Sequence, residues 1–575
     1  MMLSPASTTG VPYAGRIFRR PSLVCPQANA LSPLRGHRRA PVRNGDVSSR
    51  WVWAFGFFCA ATRVHGRHAC QAKSQAGSVA NVEAVSTLPP AALWQHFAEL
   101  SSIPRASKQE AAVLEHLKSF ADARGLSWKE DSVGNLVIRR PGSGGGERAE
   151  AVLLQGHVDM VCEKNAATSH DFSSDPILLR QVEGWLRATG TSLGADNGVG
   201  VAAALAVLEA GEEVSLPPIE ALFTVDEETG LTGASKLDGS MVTARRMLNL
   251  DTEEFGSVYI GCAGGADSTL SIAATPAAAP DSYVELTLRV EGLLGGHSGI
   301  NIHEGRGNAI LLATIASCDI LNITSDARLV RLEGGDKRNA IPREAEVTLA
   351  LPEDAVEAAK ASVVRRARAF REEYGLLEKQ LTVDARIRQK VPAATTQCFS
   401  AADTTRILSA IRTLPHGPLK MSHAVEGLVE TSNNVASVHT STQGVRVVIS
   451  TRSSLGDALE TVRDNIQAVA HLAGGTLVRE PAYPGWAPAP SSHLVDLLMR
   501  HLASVTSETP QIRAIHAGLE VGLIMERCPT VTDAVSFGPT IVGAHSPDEA
   551  LEIKTVQPFF DVLMKVLADL AKPED

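Results

Sequence analysis

The stretch that most constrains the fold is Leu153-Leu154-Gln155-Gly156-His157-Val158-Asp159-Met160. It reads as a buried strand that turns polar at its carboxyl end. Side chains two apart on a strand point the same way, so His157 and Asp159 share a face. An imidazole beside a carboxylate at the end of a hydrophobic strand is where an open α/β sheet presents its chemistry. Taken alone, such a His is more often a loop cap than a ligand.

The following segments change that balance. Ser192 to Gly200 places Asp196 at the mouth of an Ala-rich helical run, Val201 to Leu208. The strand Pro218 to Val225 runs into Asp226-Glu227-Glu228-Thr229-Gly230, and the short strand Met247 to Leu250 into Asp251-Thr252-Glu253-Glu254. Near the far end, Val531 to Phe537 leads through a glycine-rich turn to His545-Ser546-Pro547-Asp548-Glu549. These segments supply His157, Asp196, Glu228, Asp251 and His545. Five nitrogen and oxygen ligands, one of them shared, suit a pair of divalent ions. Zinc is the default for a mixed imidazole and carboxylate set, with manganese and cobalt as alternatives.

The runs QGHVDMV, GADNG, DEETG, NLDTEE, GGHSG, IHAGLE and GPTIVGAHSPDE occur in this order. Together they resemble the aminoacyl-histidine dipeptidases (peptidase D, or cytosolic nonspecific dipeptidases), a branch of the co-catalytic zinc exopeptidases. The resemblance extends over about residues 88 to 575. It implies that Asp196 bridges two metals, which a carboxylate with two oxygens can do. His157 and Asp251 then complete one shell, Glu228 and His545 the other. Glu227 is implied to be the general base that takes a proton from a hydroxide-forming water between the metals and passes it to the leaving amine. Asp159 would orient His157. His297 would polarise the scissile carbonyl, and Asn339 and Arg452 would bind substrate, Arg452 suiting a terminal carboxylate through its paired donors. The implied activity is hydrolysis of unblocked dipeptides, Xaa-His included. Two rivals are a related aminoacylase or tripeptidase, and an inactive relative kept as a binding or scaffold protein. Against the second, the base and all five ligands are present. Val521 stands where this family commonly has Cys, a departure that bears on fine specificity and not on the mechanism.

Length sets the organisation. A chain of 575 residues is too long for one core. Residues 1 to 85 are rich in Arg, Ser, Ala and Pro. The first 80 hold eleven Lys and Arg against the single acid Asp46, a net +10 that leaves −20 on residues 81–575. That composition suggests a disordered organelle-targeting extension, plastid or mitochondrial, the alternative being a cytosolic protein. The apolar run Trp51 to Ala61 is too short for a membrane span. An acidic body argues against nucleic acid as a partner. Eight scattered cysteines without a CxxC pair suggest neither a zinc ribbon nor a disulfide framework.

From Pro89 the chain reads as a catalytic α/β domain with a mainly parallel sheet, residues 86–264 and 485–575. Between them, residues 265–484 read as an α+β lid or dimerisation domain with an antiparallel sheet, built from two similar halves. Tyr283 to Glu291, Glu344 to Leu351 and Val445 to Thr451 alternate as strands, with helical runs at Asn308 to Cys318, Glu353 to Tyr374 and Gly456 to Ala473. His545 can complete a site begun at His157 only if this insert loops out whole. The expected partners are small peptides and a second copy of the chain, held through the insert.

Overall fold

The computed structural model describes residues 77–387 and 396–572. Of the expected targeting extension, residues 1–85, the first 76 lie outside the described residues. Residues 77–85, which the sequence assigns to that extension, instead form a helix docked on the body. Its Val85 is buried, and Asn81 donates to Ser102 Oγ and the Ile177 carbonyl while accepting from the Leu179 amide. The body therefore starts by residue 77.

Two helices follow, α1 (Ala91–Ser101) and α2 (Ala111–Ala123), each burying an apolar stripe. Asp131 then accepts the amide protons of Val133, Gly134 and Asn135, turning the chain between β1 (Ser127–Glu130) and β2 (Leu136–Arg140). Next come β3 (Val152–His157), α3 (Ala195–Leu208), β4 (Ile219–Thr224), β5 (Arg246–Asn249) and β6 (Ser257–Cys262). Strand β3 is buried on both faces, Leu154 entering one core layer and Leu153 the other. Each such leucine contributes about 1.5–3 kcal/mol. This double burial explains why the strand is a continuous apolar run and not an alternating one. Helix α3 is buried nearly all round, packed between α1 and β3, so its small alanines permit close approach.

The insert contains β7 (Gly264–Ala273), β8 (Tyr283–Glu291), α4 (Ala309–Leu321), β9 (Arg328–Gly334), β10 (Ala345–Pro352), α5 (Val356–Tyr374) and β11 (Thr382–Ile387). It continues through α6 (Ala401–Thr413), β12 (Val429–Ser441), β13 (Gly444–Ser453), α7 (Gly456–Leu472) and β14 (Thr476–Arg479). Its strands lie in the order β11-β8-β10-β9-β12-β13-β7-β14, all antiparallel. The connectivity repeats: β8-α4-β9-β10-α5-β11 has the same strand order as β7-α6-β12-β13-α7-β14, and the two units meet edge to edge at β9 and β12. Helix α6 was not anticipated, although Ser400 caps it by accepting the Asp403 amide proton at 3.0 Å.

The chain enters and leaves the insert side by side. Cys262 and Trp486 exchange backbone hydrogen bonds of 2.9 and 3.0 Å, as do Gly265 and Tyr483 at 3.1 and 3.0 Å. The body resumes with α8 (His493–Ala503), β15 (Gln511–Ile515), α9 (Glu520–Arg527), β16 (Asp533–Ser536) and α10 (Ile553–Leu570). Its sheet runs β1-β2-β4-β3-β5-β16-β6-β15. The central strands β4, β3, β5 and β16 are parallel, as expected. The whole sheet, however, is mixed: the β1–β2 hairpin lies antiparallel to β4, and β6 pairs antiparallel with β16 at Tyr259 and Ser536. Strand β3 has β4 on one side and β5 on the other, so its carboxyl end faces the point where the winding reverses. Among the described residues no helix is long and apolar enough to cross a membrane.

Candidate metal centre

The reversal point carries the acidic and imidazole side chains. His157 ends β3, with Nε2 at 3.0 Å from Asp196 Oδ1 and 3.5 Å from Asp251 Oδ1. His545 Nε2 lies 3.1 Å from Asp196 Oδ2 and 3.0 Å from Glu228 Oε2. Two groups result, His157–Asp196–Asp251 and Asp196–Glu228–His545, each with its ligand atoms within 4.8 Å of one another. They share Asp196, one oxygen facing each histidine. Glu227 falls in a further group with His157 and Glu228. The five expected ligands and the expected base are thus brought together.

Charge at this centre is unbalanced without a cation. Burial alone would depress the His157 imidazole, but Asp251, Asp159 and Asp196 outweigh it and hold it well above its ordinary value. Hydrogen bonds to Asp196 and Glu228 push His545 up to about 11. Burial pushes Glu227 up to about 9 and Asp251 up to about 6. His157 Nδ1, Glu228 Oε1 and Asp251 Oδ1 are buried without a hydrogen-bond partner. Buried polar atoms are rarely left in that state. Of these, Glu228 Oε1 and Asp251 Oδ1 belong to residues of the two ligand groups, where a pair of divalent cations would satisfy them, while His157 Nδ1 faces Asp159 at 3.5 Å.

The supports of these ligands come from distant segments. Asp159 accepts the Glu227 amide proton at 3.1 Å, the Glu228 amide proton at 3.2 Å and the Ser107 hydroxyl at 2.8 Å. Its distance to His157 Nδ1 is 3.5 Å, so it anchors the Glu227–Glu228 loop more closely than it orients the imidazole. Asp226 precedes that loop with φ +51°, a left-handed turn that redirects the chain before the acidic pair. Arg105, fully buried, donates to the carbonyls of Val158, Asp159 and Gly194, tying the end of β3 to the turn before Asp196. Glu549 accepts the amide protons of Leu193, Gly194 and Ala195 at 2.7, 2.9 and 2.7 Å, bracing the same turn from the His545 segment. The sequence reading assigns no role to Arg105 or Glu549. The only hint was that Glu549 closes the motif containing His545.

The three expected substrate-binding residues form a separate cluster on the insert. His297 follows β8, and its Nδ1 accepts the amide protons of Gly299 and Ile300 at 3.1 and 3.0 Å. The ring proton therefore sits on Nε2, leaving that nitrogen as a donor. Burial and then Arg452 lower the His297 pKa, which favours the neutral ring. Arg452, on β13, is buried and donates to Tyr483 Oη at 3.1 Å, while its Nε has no partner. Asn339 is exposed, and its carbonyl accepts the Ser298 amide proton at 2.8 Å. His516, also unassigned from sequence despite its place in IHAGLE, touches this cluster from the body: its Nε2 is 2.7 Å from Ser432 Oγ. A Cβ on Gly299 would lie 2.2 Å from the His516 carbonyl, so only glycine fits there. A groove of about 1100 Å³ beside His297 and Asn339 contains none of the metal-ligand candidates. Among the described residues, no hydrogen bond or ion pair joins this cluster to the metal ligands.

A body sheet presenting imidazole and carboxylate ligands at its strand ends, interrupted by an antiparallel insert, defines the class of the protein. Residues 153–569 match the sequence pattern of peptidase family M20/M25/M40, and the chain belongs to that family. Within it, the chain is 38% identical over 489 residues to the cytosol non-specific dipeptidase of Escherichia coli (strain K12), covering 84% of this chain and 99% of that one. The crystal structure of aminoacylhistidine dipeptidase from Vibrio alginolyticus matches with a TM-score of 0.80 at 40% identity, over 85% of this chain and 98% of that one. A more distant relative, uncharacterized protein YqjE of Bacillus subtilis (strain 168), is 26% identical over 296 residues, 49% of this chain and 71% of that one.

Proposed function

We propose that this protein is a metal-dependent dipeptidase that hydrolyses unblocked dipeptides, Xaa-His among them. The observation that carries the reading is the pair of ligand groups sharing Asp196, with Glu227 beside them. Relatives named as dipeptidases over nearly their whole length support it. His157 and Asp251 would hold one ion, Glu228 and His545 the other, and Asp196 both. Zinc suits this donor set, and manganese and cobalt are the alternatives. When bound, the ions would supply Lewis acidity, polarising the scissile carbonyl and lowering the pKa of the attacking water.

The chain's own residues do the rest. Glu227 takes one proton from the water as its oxygen bonds to the carbonyl carbon. It returns that proton to the amine nitrogen as the C–N bond breaks, releasing two amino acids. Burial and its acidic neighbours favour the protonated form of Glu227, and the positive charge of bound ions would favour the ionised form that can accept a proton. His297 Nε2–H would donate to the carbonyl oxygen as charge develops there. Arg452 and Asn339 would hold the C-terminal carboxylate. A third residue at that end would move the carboxylate away and leave the donors unpaired, at a cost of about 1–3 kcal/mol or more. Residues 1–76 would act as an organelle-targeting segment, which a fluorescent fusion carrying them tests by its location.

The deciding experiment is hydrolysis of Ala-His, Ala-His-amide and Ala-His-Ala by the metal-loaded full chain. Ala-His should be strongly preferred, and Arg452→Ala should raise KM or lower kcat for it without changing metal content. Equal rates on all three peptides would refute a carboxylate-reading dipeptidase.

A further inference from the structure

Beside the metal ligands runs a line of buried polar side chains that the proposed hydrolysis does not use. Thr252 Oγ1 lies 2.7 Å from Ser536 Oγ, and Ser536 donates to Asn249 Oδ1. Asn249 Nδ2 donates to Gln155 Oε1, and Gln155 Nε2 donates to Glu520 Oε2 at 2.6 Å. Thr224 Oγ1 accepts from Gln155 at 3.1 Å and donates to the same Glu520 oxygen at 2.6 Å. All six residues are buried. The other Glu520 oxygen has no hydrogen-bond partner, so among the described residues this line supplies the carboxylate's hydrogen bonds.

Two features separate this arrangement from ordinary core polarity. First, it crosses the four central strands in order: Thr224 on β4, Gln155 on β3, Asn249 on β5 and Ser536 on β16. Thr224 stands three residues before Glu227, while Gln155 and Asn249 stand two before His157 and Asp251. Apolar residues occupy neighbouring positions on the same side of the sheet, Leu153, Leu222 and Met247 among them. Six polar groups are therefore not what packing alone requires. Second, every assigned donor points toward Glu520. Glu520 Oε2 accepts from both Gln155 and Thr224, so the two amides have one satisfied orientation, and turning either one leaves buried groups unpaired.

We propose that Glu520 is a positioning residue of the hydrolytic site: by terminating this chain it holds four strand ends at the mutual spacing that the metal ligands require. The inference rests on the two-metal peptidase reading above. Glu520 is hydrogen-bonded to the ligand-bearing strands through Gln155 and Thr224, and its charge also acts on His157, Asp251 and Glu227 across the site.

The test compares Glu520→Leu, Glu520→Gln and Thr252→Val in the full chain. Metal affinity, the visible absorption of the cobalt-loaded protein, and kcat and KM for Ala-His are measured. Glu520→Leu has no acceptor and should weaken metal binding and lower kcat by about 10–100-fold, the range found when groups behind metal ligands are removed. KM should stay within about threefold and the cobalt spectrum should shift. Glu520→Gln keeps an oxygen for Gln155 and Thr224 and should restore most of the affinity and the spectrum. Thr252→Val cuts the far link and should shift the spectrum less. Wild-type affinity and spectrum in Glu520→Leu would overturn the proposal, as would Glu520→Gln proving as damaged as Glu520→Leu. If Glu520→Leu does not fold, an unchanged spectrum in Thr252→Val overturns it. A wild-type protein that binds two cobalt ions but leaves Ala-His intact would count against the peptidase reading alone, because the metal readouts still judge Glu520.

Discussion

Replacing Glu227 by glutamine separates the base from the ligands beside it. The change removes one proton-accepting oxygen and preserves shape. The Glu227 and Glu228 amides would stay on the two oxygens of Asp159, at 3.1 and 3.2 Å, so the loop keeps its course. Glu228 keeps its oxygen 3.0 Å from His545 Nε2, and the other ligands are untouched. Metal content should therefore stay at the wild-type value. Loss of a positioned general base costs about 10²–10⁴ in rate, equivalent to about 3–5 kcal/mol of barrier. The assay is metal content by mass spectrometry beside kcat for Ala-His on the same preparation. Glu228→Gln, which alters a ligand, should instead release metal. A kcat within tenfold of wild type in Glu227→Gln, with full metal content, would refute the assignment of Glu227 as base.

Glu549→Ala should weaken metal binding about 10–100-fold, since it frees the turn that presents Asp196; titration with zinc against a competing chelator reads this directly. Asn81→Ala should lower stability by about 1–3 kcal/mol, because the Ile177 carbonyl and the Leu179 amide lose a buried partner. In the same way, a chain starting at residue 86 should melt lower than one starting at residue 77. Burial depresses His416 to about 4 from 6.5, so between those values the unfolded chain binds a proton that the folded one does not. The stability linked to His416 is complete above pH 6.5 and is lost as pH falls toward 4. His416→Asn should accordingly lose less Tm than wild type between pH 7 and pH 5, and equal losses would remove His416 as a cause.

The candidate ligand groups were legible because His157, Glu228, Asp251 and His545 follow hydrophobic runs and Asp196 opens another. A buried strand cannot carry a charge in mid-course at low cost, so polarity gathers at its end. Reading strand ends from the sequence was thus close to reading the site. The mixed sheet was less visible: β2 and β4 are both short apolar runs, and nothing local distinguishes an antiparallel neighbour from a parallel one. Residues 77–85 escape the sequence reading because Gly77 to Val85 has the small, weakly apolar composition of the segment before it, and of the buried residues Gly77, Asn81 and Val85 on its docked face only Val85 is a hydrophobic side chain.

The supporting carboxylates escaped notice for a different reason. Glu549 acts on residues about 355 positions earlier, and Glu520 on one 365 positions earlier. In sequence each is an acid near a helix or a turn, a place where exposed acids are common. What makes Glu520 a candidate for positioning is burial, at 2% exposure, together with two partners on adjacent strands. Both arise only after β3, β4 and α9 have packed. A ligand must be a particular element type at a strand end, and that requirement leaves a local trace. A group that steadies ligands needs only to be an acceptor at the right place in three dimensions, and many local sequences satisfy that equally well.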